Sequence, residues 1–290
     1  MISLVVATMG RVAELRALFD SLLDAQGAEF EVLLVDQNAD ARLEPVVADY
    51  AGRLALRHLR LAAAHANAAR NLGLRHARGP LVGFPDDDCT LPRGTLGRVE
   101  AAFAAEPGLA VLSGPAAAPG GGLGSGRWRA ADGPITTANV WTSVIEFNLW
   151  LRREVALTLG GFDEGMGPGA RFGSAEGNDL VCRALAAGHG ARYAAALRVV
   201  HPDKRLTPEA VARAHRYGLG LGFALRRHAP NAGVWGPFLT RPLGGAALAL
   251  ARGRALDARY YLATWRGRVE GMRAPPLPWP SPLEPPGEAS

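Results

Sequence analysis

Only two cysteines, Cys89 and Cys182, occur in the 290 residues, which excludes a disulfide scaffold and fits a reducing compartment. Aromatic residues make up 7% of the chain, so its core has to be built mostly from Ala, Leu and Val. No apolar run reaches the roughly 18 residues that a membrane span needs, and the longest late candidate, 243–251, is half that length. Met1-Ile2-Ser3-Leu4 lacks the basic start of a signal peptide, and Gly10-Arg11 cuts the apolar run that follows. The expectation is a cytoplasmic protein, soluble or resting peripherally on the inner face of the membrane. Charge of one sign is also scarce: 32 Lys+Arg against 27 Asp+Glu leaves +5, too small a surplus to mark a nucleic-acid binder. What is plentiful is glycine (36) and proline (21), placed locally and without period, which excludes collagen and points to loops. The length and the 48% hydrophobic content suffice for one large α/β domain or two small ones.

The first ninety residues alternate between two periodicities. Ile2–Thr8 (ISLVVAT) and Phe30–Asp36 (FEVLLVD) are continuous apolar runs of the kind buried on both faces of a parallel sheet. Between them Leu15, Leu18, Phe19, Leu22 and Leu23 mark one face of a helix. A short helix over 43–51, a strand over 54–59, an Ala-rich helix over 62–77 and a strand over 81–84 follow. This spacing predicts βαβ units in a doubly wound, mostly parallel sheet. A helix over 92–105 and a strand over 110–113 lead into 114–126, which holds six glycines and two prolines and reads as a loop over the rim. Beyond it the pattern predicts a strand over 144–151, a short helix ending at Gly160-Gly161, a helix over 178–187 and a last strand over 192–200. Two long amphipathic helices are expected at 208–227 and 237–273. The tail from 274 to 290 has seven prolines in 17 residues and reads as disordered.

Ligands of open α/β sheets bind beyond the carboxyl ends of the strands, where Thr8-Met9-Gly10-Arg11, Asp36-Gln37-Asn38 and Asp86-Asp87-Asp88 all fall. Three adjacent carboxylates repel one another, and a fold tolerates them at a buried strand's end most cheaply if a cation sits there. Mg²⁺ or Mn²⁺ takes carboxylate oxygens and commonly shares its remaining positions with substrate phosphates. A solvated acidic turn is the plain alternative. A phospho-aspartate phosphatase would want its nucleophile on the first strand, where Thr8 stands, and a dinucleotide-binding oxidoreductase would want more glycines than Gly10 after it.

Several stretches, in order, resemble family 2 glycosyltransferases of the GT-A fold: Val5-Val6-Ala7-Thr8, Val35-Asp36-Gln37-Asn38, Ala69-Arg70-Asn71-x-Gly73, Phe84-Pro85-Asp86-Asp87-Asp88-Cys89, Gly160-Gly161-Phe162-Asp163-Glu164 with Phe172-Gly173-x-x-Glu176-x-x-Asp179-Leu180-x-x-Arg183, and Val200-His201-Pro202. The resemblance covers residues 2–202. It implies a GT-A domain over 1–205, with a nucleotide-sugar half at about 1–113 and an acceptor half at about 127–205, then a helical extension over 206–273. It implies inverting, metal-dependent transfer of a sugar from a nucleotide-diphosphate donor to an acceptor hydroxyl, in surface polysaccharide or glycoconjugate synthesis. By the same analogy Asp86 and Asp88 form the metal motif, with Asp88 a direct ligand and Asp86 facing the ribose or nucleotide. Asp87 supports them, Thr8 and Asp36 line the base and ribose pocket, and Arg70 fixes the nucleotide or orients the acidic cluster.

The proton acceptor departs from the family pattern, in which Glu-Asp precedes x-Asp-Leu-x-x-Arg. Gly177 stands where the second acid is usual, so Glu176 or Asp179 is the candidate base, Glu176 slightly favoured. The departure also opens an alternative, a nucleotide-sugar-binding protein of the same fold that has lost turnover. His201, at a strand's end, is a candidate metal or phosphate ligand, and Lys204 and Arg205 are candidate phosphate partners. Trp128, Trp141 and Trp150 are either sugar-stacking or core residues. Tyr260, Tyr261 and Trp265 lie among Arg252, Arg254, Arg259, Arg266 and Arg268, a composition that can rest on an anionic membrane carrying a lipid-linked acceptor. The plain alternative is a helix packed on the domain with a solvated arginine face.

Overall fold

In the computed structural model, which describes residues 1–24, 27–203 and 206–287, the first apolar run becomes strand β1 (Ile2–Thr8). Helix α1 (Ala13–Leu23), β2 (Phe30–Asp36), α2 (Glu44–Tyr50), β3 (Leu56–Arg60), α3 (Ala66–His76) and β4 (Leu81–Gly83) complete the expected alternation. Next come α4 (Thr95–Ala105), β5 (Leu109–Ser113) and the short β6 (Ala116–Ala117) and β7 (Gly133–Pro134). They are followed by β8 (Leu149–Arg152), α5 (Arg153–Thr158), α6 (Glu176–Ala186), β9 (Gly190–Tyr193) and β10 (Val199–Val200). Helices α7 (Pro208–His228), α8 (Ala232–Ala251) and α9 (Ala255–Arg273) close the chain.

Eight strands form one mixed sheet in the order β3-β2-β1-β4-β8-β5-β9-β7. The pairs β3–β2, β2–β1, β1–β4 and β5–β9 are parallel. Strand β8 runs antiparallel to both of its neighbours, because the chain returns to the sheet from the rim after the 114–148 excursion. One apolar cluster, centred on Leu4, Leu34 and Trp150, fills one side of the sheet, and another, centred on Val5, Leu33 and Leu151, fills the other.

Four expectations from the sequence are corrected. The strand predicted over 144–151 is a tight helical turn at Glu146–Asn148, and only Leu149–Arg152 pairs. The strand predicted over 192–200 is split into β9 and β10, because the Asn148 side-chain amide captures the carbonyls of Leu197 (2.7 Å) and Pro115 (3.1 Å) and holds the chain in a turn there. The single helix expected over 237–273 is two, broken where Gly253 adopts a left-handed φ of 67°. Asn231 caps α8, its Oδ1 accepting from Val234 N–H, so Pro237 and Pro242 lie inside that helix. Pro242 cannot donate to Phe238 O, and the freed carbonyl accepts from Arg268 Nη1 of α9 instead.

Of the tail read as disordered, residues 274–287 are laid down in extended form, and 288–290 lie outside the described residues. Leu283 N–H donates to Leu157 O (2.9 Å), Leu277 joins a small cluster with Met166 and Phe172, and the Arg227 guanidinium stacks 3.7 Å over the Trp279 ring. Prolines preset the extended backbone and so lower the entropy lost on ordering it, which lets two leucines and a tryptophan pin the segment.

Candidate active site

Strand β4 ends in the core and delivers Phe84-Pro85-Asp86-Asp87-Asp88 to the floor of a cleft of about 1080 Å³ at the carboxyl end of the parallel strands. His201 reaches the same floor from far along the sequence. Strand β10 pairs with β6, Thr90 and Val200 exchange backbone hydrogen bonds of 3.0 Å, and His201 N–H donates to Ala117 O. Phe147 stacks on the imidazole at 4.6 Å, and its Nδ1 lies 2.7 Å from Pro202 O, which fixes a tautomer with the lone pair on Nε2. Ligand atoms of Asp86, Asp88 and His201 lie within 4.8 Å of one another. Asp88 Oδ1 is buried without a hydrogen bond and lies 3.4 Å from His201 Nε2. A lone buried carboxylate oxygen is costly to leave unpaired, and two carboxylates with an imidazole are a donor set that suits Mn²⁺ or Mg²⁺. The residues fit a divalent cation.

The other acids of the run are held by arginines. Asp87 accepts from Thr8 Oγ1 (2.7 Å) and from Arg11, which also binds Asp88 at 2.9 Å. Burial raises the Asp87 pKa, and the Thr8 hydroxyl and Arg11 charge offset that only in part. Arg11 belongs to a stretch whose place at the rim was legible, but its partners were not. Arg70, buried on α3, spans the site: Nη2 reaches Asp86 (3.0 Å), while Nη1 reaches Asn67 (2.9 Å) and Glu176 (3.1 Å). Arg70 thus contacts the acidic cluster on one side of the cleft and Glu176 on the other. Thr8 and Asp36 lie at the strand ends but behind the cleft wall, which is formed at that side by Ala7, Met9 and Gln37. Asp36 is fully buried and occupied, accepting from Asn38 N–H, Asn38 Nδ2 and Arg60 Nη1 and facing His58. Burial works to raise its pKa, but the Asn38 and His58 hydrogen bonds and the Arg60 charge outweigh it and hold the carboxyl low.

Across the cleft, Ala175 adopts a left-handed φ of 67° that turns the chain sharply into α6, whose first residues are Glu176 and Gly177. Glu176 is buried against Arg70, and its pKa is pushed up to about 7 by burial and by the charge of Glu146, against the pull of Arg70. Glu146 comes from the turn before β8; its Oε1 accepts from Gly177 N–H (3.2 Å) and its carboxylate lines the cleft. Sequence reasoning missed it because no local pattern links it to residue 177. Asp179 is not brought to the cleft. It is fully buried, receiving Arg183 Nε (2.8 Å), Arg227 Nη1 (3.1 Å) and His228 (2.7 Å), and ties α6 to α7. Burial would raise its pKa, but His228, Arg183 and Arg227 together lower it.

Helices α7 and α9, undiagnostic in sequence, form the cleft's outer wall with Arg213, Tyr217, Tyr260, Thr264 and Arg268. Of the three tryptophans considered for stacking, Trp141 lines the cleft, whereas Trp150 is core and Trp128 packs beside it. Lys204 and Arg205 lie outside the described residues.

The described helices include none long and apolar enough to cross a membrane. No curated protein sequence matches the chain. Among solved structures, S. aureus TarS 1–349 in complex with UDP-GlcNAc is 19% identical with a TM-score of 0.60, over 91% of this chain and 90% of that one. Against a longer structure of S. aureus TarS the chain spans 54% of that protein's length. The mannosyltransferase PcManGT from Pyrobaculum calidifontis, in complex with GDP-Man and Mn²⁺, is 19% identical with a TM-score of 0.65, over 92% of this chain and 86% of that one. The glycosyl transferase family 2 model matches residues 3–156, the half of the chain that carries β1 to β8 and the aspartate cluster. A GT-A sheet with the acidic turn at the end of β4, matched over more than half its length, makes this chain a member of glycosyl transferase family 2.

Proposed function

We propose that this glycosyltransferase moves a sugar from a nucleotide-diphosphate donor to an acceptor hydroxyl with inversion, using a divalent cation held by Asp86, Asp88 and His201. The observation that carries the reading is the buried, unpaired Asp88 Oδ1 facing Asp86 and His201 on the cleft floor. A cation there would neutralise charge on the departing diphosphate. The chain's own residues supply the rest. Arg11 and Arg70 hold the aspartates in position, and Gln37, Ala7 and Met9 bound the side where the nucleoside would lie. The acceptor enters between Trp141 and the α7–α9 wall, so the helical extension shapes the acceptor side. Its hydroxyl oxygen attacks the anomeric carbon from the face opposite the diphosphate. The carbon–oxygen bond to phosphate breaks with its electron pair on the leaving group, and a carboxylate takes the hydroxyl proton.

Thermal shift with UDP-, GDP- and dTDP-sugars in Mn²⁺ or Mg²⁺ tests this. One donor class is expected to raise the melting temperature of the parent chain in a cation-dependent manner and to leave Asp88→Ala unmoved; a panel with no shift contradicts the reading. A second reading, binding without turnover, is favoured by one observation, the absence of a side chain at Gly177; release of nucleoside diphosphate from the bound donor separates the two.

The acceptor is proposed to be lipid-linked. Helix α8 holds no acidic residue, exposes Leu243, Leu248 and Leu250, carries Arg241 and is followed directly by Arg252, the make-up of a surface that rests on anionic lipid. Co-sedimentation with anionic vesicles is expected for the parent and lost in Leu248→Glu/Leu250→Glu; equal sedimentation of both ends the idea.

A further inference from the structure

We propose that Glu146 is the general base, its carboxylate occupying the space left by the missing side chain of Gly177. The inference rests on the transfer reading above and names the group that takes the acceptor's proton. A Cβ built on Gly177 would lie 3.0 Å from Glu146 Oε1, 3.1 Å from Cγ and 3.3 Å from Cδ. The φ of Gly177 lies outside the left-handed region, so close approach, not backbone conformation, is what this position asks of glycine. The acid that the sequence resemblance leads one to expect at position 177 is thus replaced, in space, by one carried on the turn before β8.

The other carboxylates lining the cleft are committed. Asp87 and Asp88 bind Arg11, and Asp86 and Glu176 bind Arg70. Asp203 is exposed and accepts from Ser125. Among the described residues Glu146 has no ion pair within 4 Å; its charge is felt by Arg70, which is paired to Asp86 and Glu176. Its backbone is firmly set, because Phe147 stacks on His201 and Asn148 is buried in three hydrogen bonds. Gly177, the residue after Glu176, donates its N–H to Glu146 Oε1 (3.2 Å), so both acids stand at the same end of the cleft. In the step, the proton of the attacking hydroxyl passes to a Glu146 carboxylate oxygen as the new glycosidic bond forms and the diphosphate departs with the electron pair of the broken bond. Glu176, locked to Arg70, is a positioning residue.

Glu146 Oε1 also caps the first turn of α6, and the choice of variant separates the two roles. Glu146→Gln keeps an oxygen that can accept from Gly177 N–H but cannot take a proton. The experiment measures nucleoside diphosphate release from the donor that stabilises the parent chain, with water as acceptor, together with donor Kd. Glu146→Gln is expected to lower kcat about 10²–10⁴-fold with Kd and melting temperature unchanged. Glu146→Ala removes the three atoms that crowd residue 177, so Glu146→Ala/Gly177→Asp is expected to turn over faster than Glu146→Ala, the new acid standing where the old one was. Parental kcat in Glu146→Gln overturns the assignment and leaves the transfer reading intact. A loss of kcat matched by an equal loss of donor affinity and stability also overturns it, since that is the signature of a cap. A parent chain that binds and consumes no donor overturns the transfer reading, and this inference with it.

Discussion

Arg70 joins the two sides of the cleft, one nitrogen on Asp86 and the other on Glu176, and the consequences are electrostatic. Burial lowers the tendency of its guanidinium to stay charged, but Asp86, Glu176 and Glu146 more than reverse this, so the pKa is raised. Glu176 bears the opposite balance, its pKa of about 7 lying above the ordinary 4.5. A carboxyl whose folded pKa is raised binds more protons folded than unfolded between those values. Its contribution to stability is therefore full below about 4.5 and is lost as pH rises through about 7. The unfolding free energy of the parent, relative to that of Glu176→Gln, is expected to fall by an amount on the order of 1–3 kcal/mol between pH 4.5 and pH 8. Chemical denaturation across that range checks it, and a pH-independent difference contradicts it. At this scale the acidic run was legible because three aspartates after an apolar strand need no tertiary information to be noticed. Asp36 and Asp179 were legible as acids at element ends but not as buried, arginine-bound ones, since Arg60, Arg227 and His228 reach them across the fold. Glu146 was invisible for the same reason: its meaning depends on a glycine 31 residues away.

Among the elements, α7 and α9 pack closely enough to bring backbone against backbone. A Cβ on Gly222 would lie 2.1 Å from Arg268 O, and one on Gly271 would lie 2.1 Å from Leu219 O. Gly→Ala in an exposed helix ordinarily stabilises by up to about 1 kcal/mol. At Gly271 the sign is expected to reverse, with Ala costing about 1–3 kcal/mol because the two helices must separate. Gly244 on α8 has no atom within 4 Å of such a Cβ, and Ala there is expected to stabilise. Thermal unfolding of the two variants compares them, and a stable Gly271→Ala contradicts the close packing. Because these helices wall the cleft through Tyr217, Tyr260 and Arg268, Gly271→Ala is also expected to disturb it. The helical periods of 208–227 and the later segment were readable, whereas the break at Gly253 was not, one glycine among 36 carrying no local mark of a left-handed φ. Pro237 read as a helix start; the cap at Asn231 and the Arg268 contact with Phe238 O allow it to sit inside.

Over the whole molecule, the strand ends of one sheet gather residues from positions 11, 70, 86–88, 146, 176 and 201 into a single cleft. The mostly parallel, doubly wound character of the sheet followed from apolar runs alternating with helical periods; the strand order did not. The antiparallel insertion of β8 did not, because direction is set by where a long loop re-enters the sheet and not by the strand's own residues. The tail was misread from composition: seven prolines spell an extended chain, and whether that chain is pinned depends on Leu277, Trp279 and Leu283 finding Met166, Arg227 and Leu157. The central claim is that Asp86, Asp88 and His201 hold a divalent cation together with a nucleoside diphosphate. Titration calorimetry with Mn²⁺ in the presence of UDP or GDP measures this directly. The account predicts saturable uptake near one ion per chain by the parent and none by Asp88→Ala; equal uptake by both, or none by either, contradicts it.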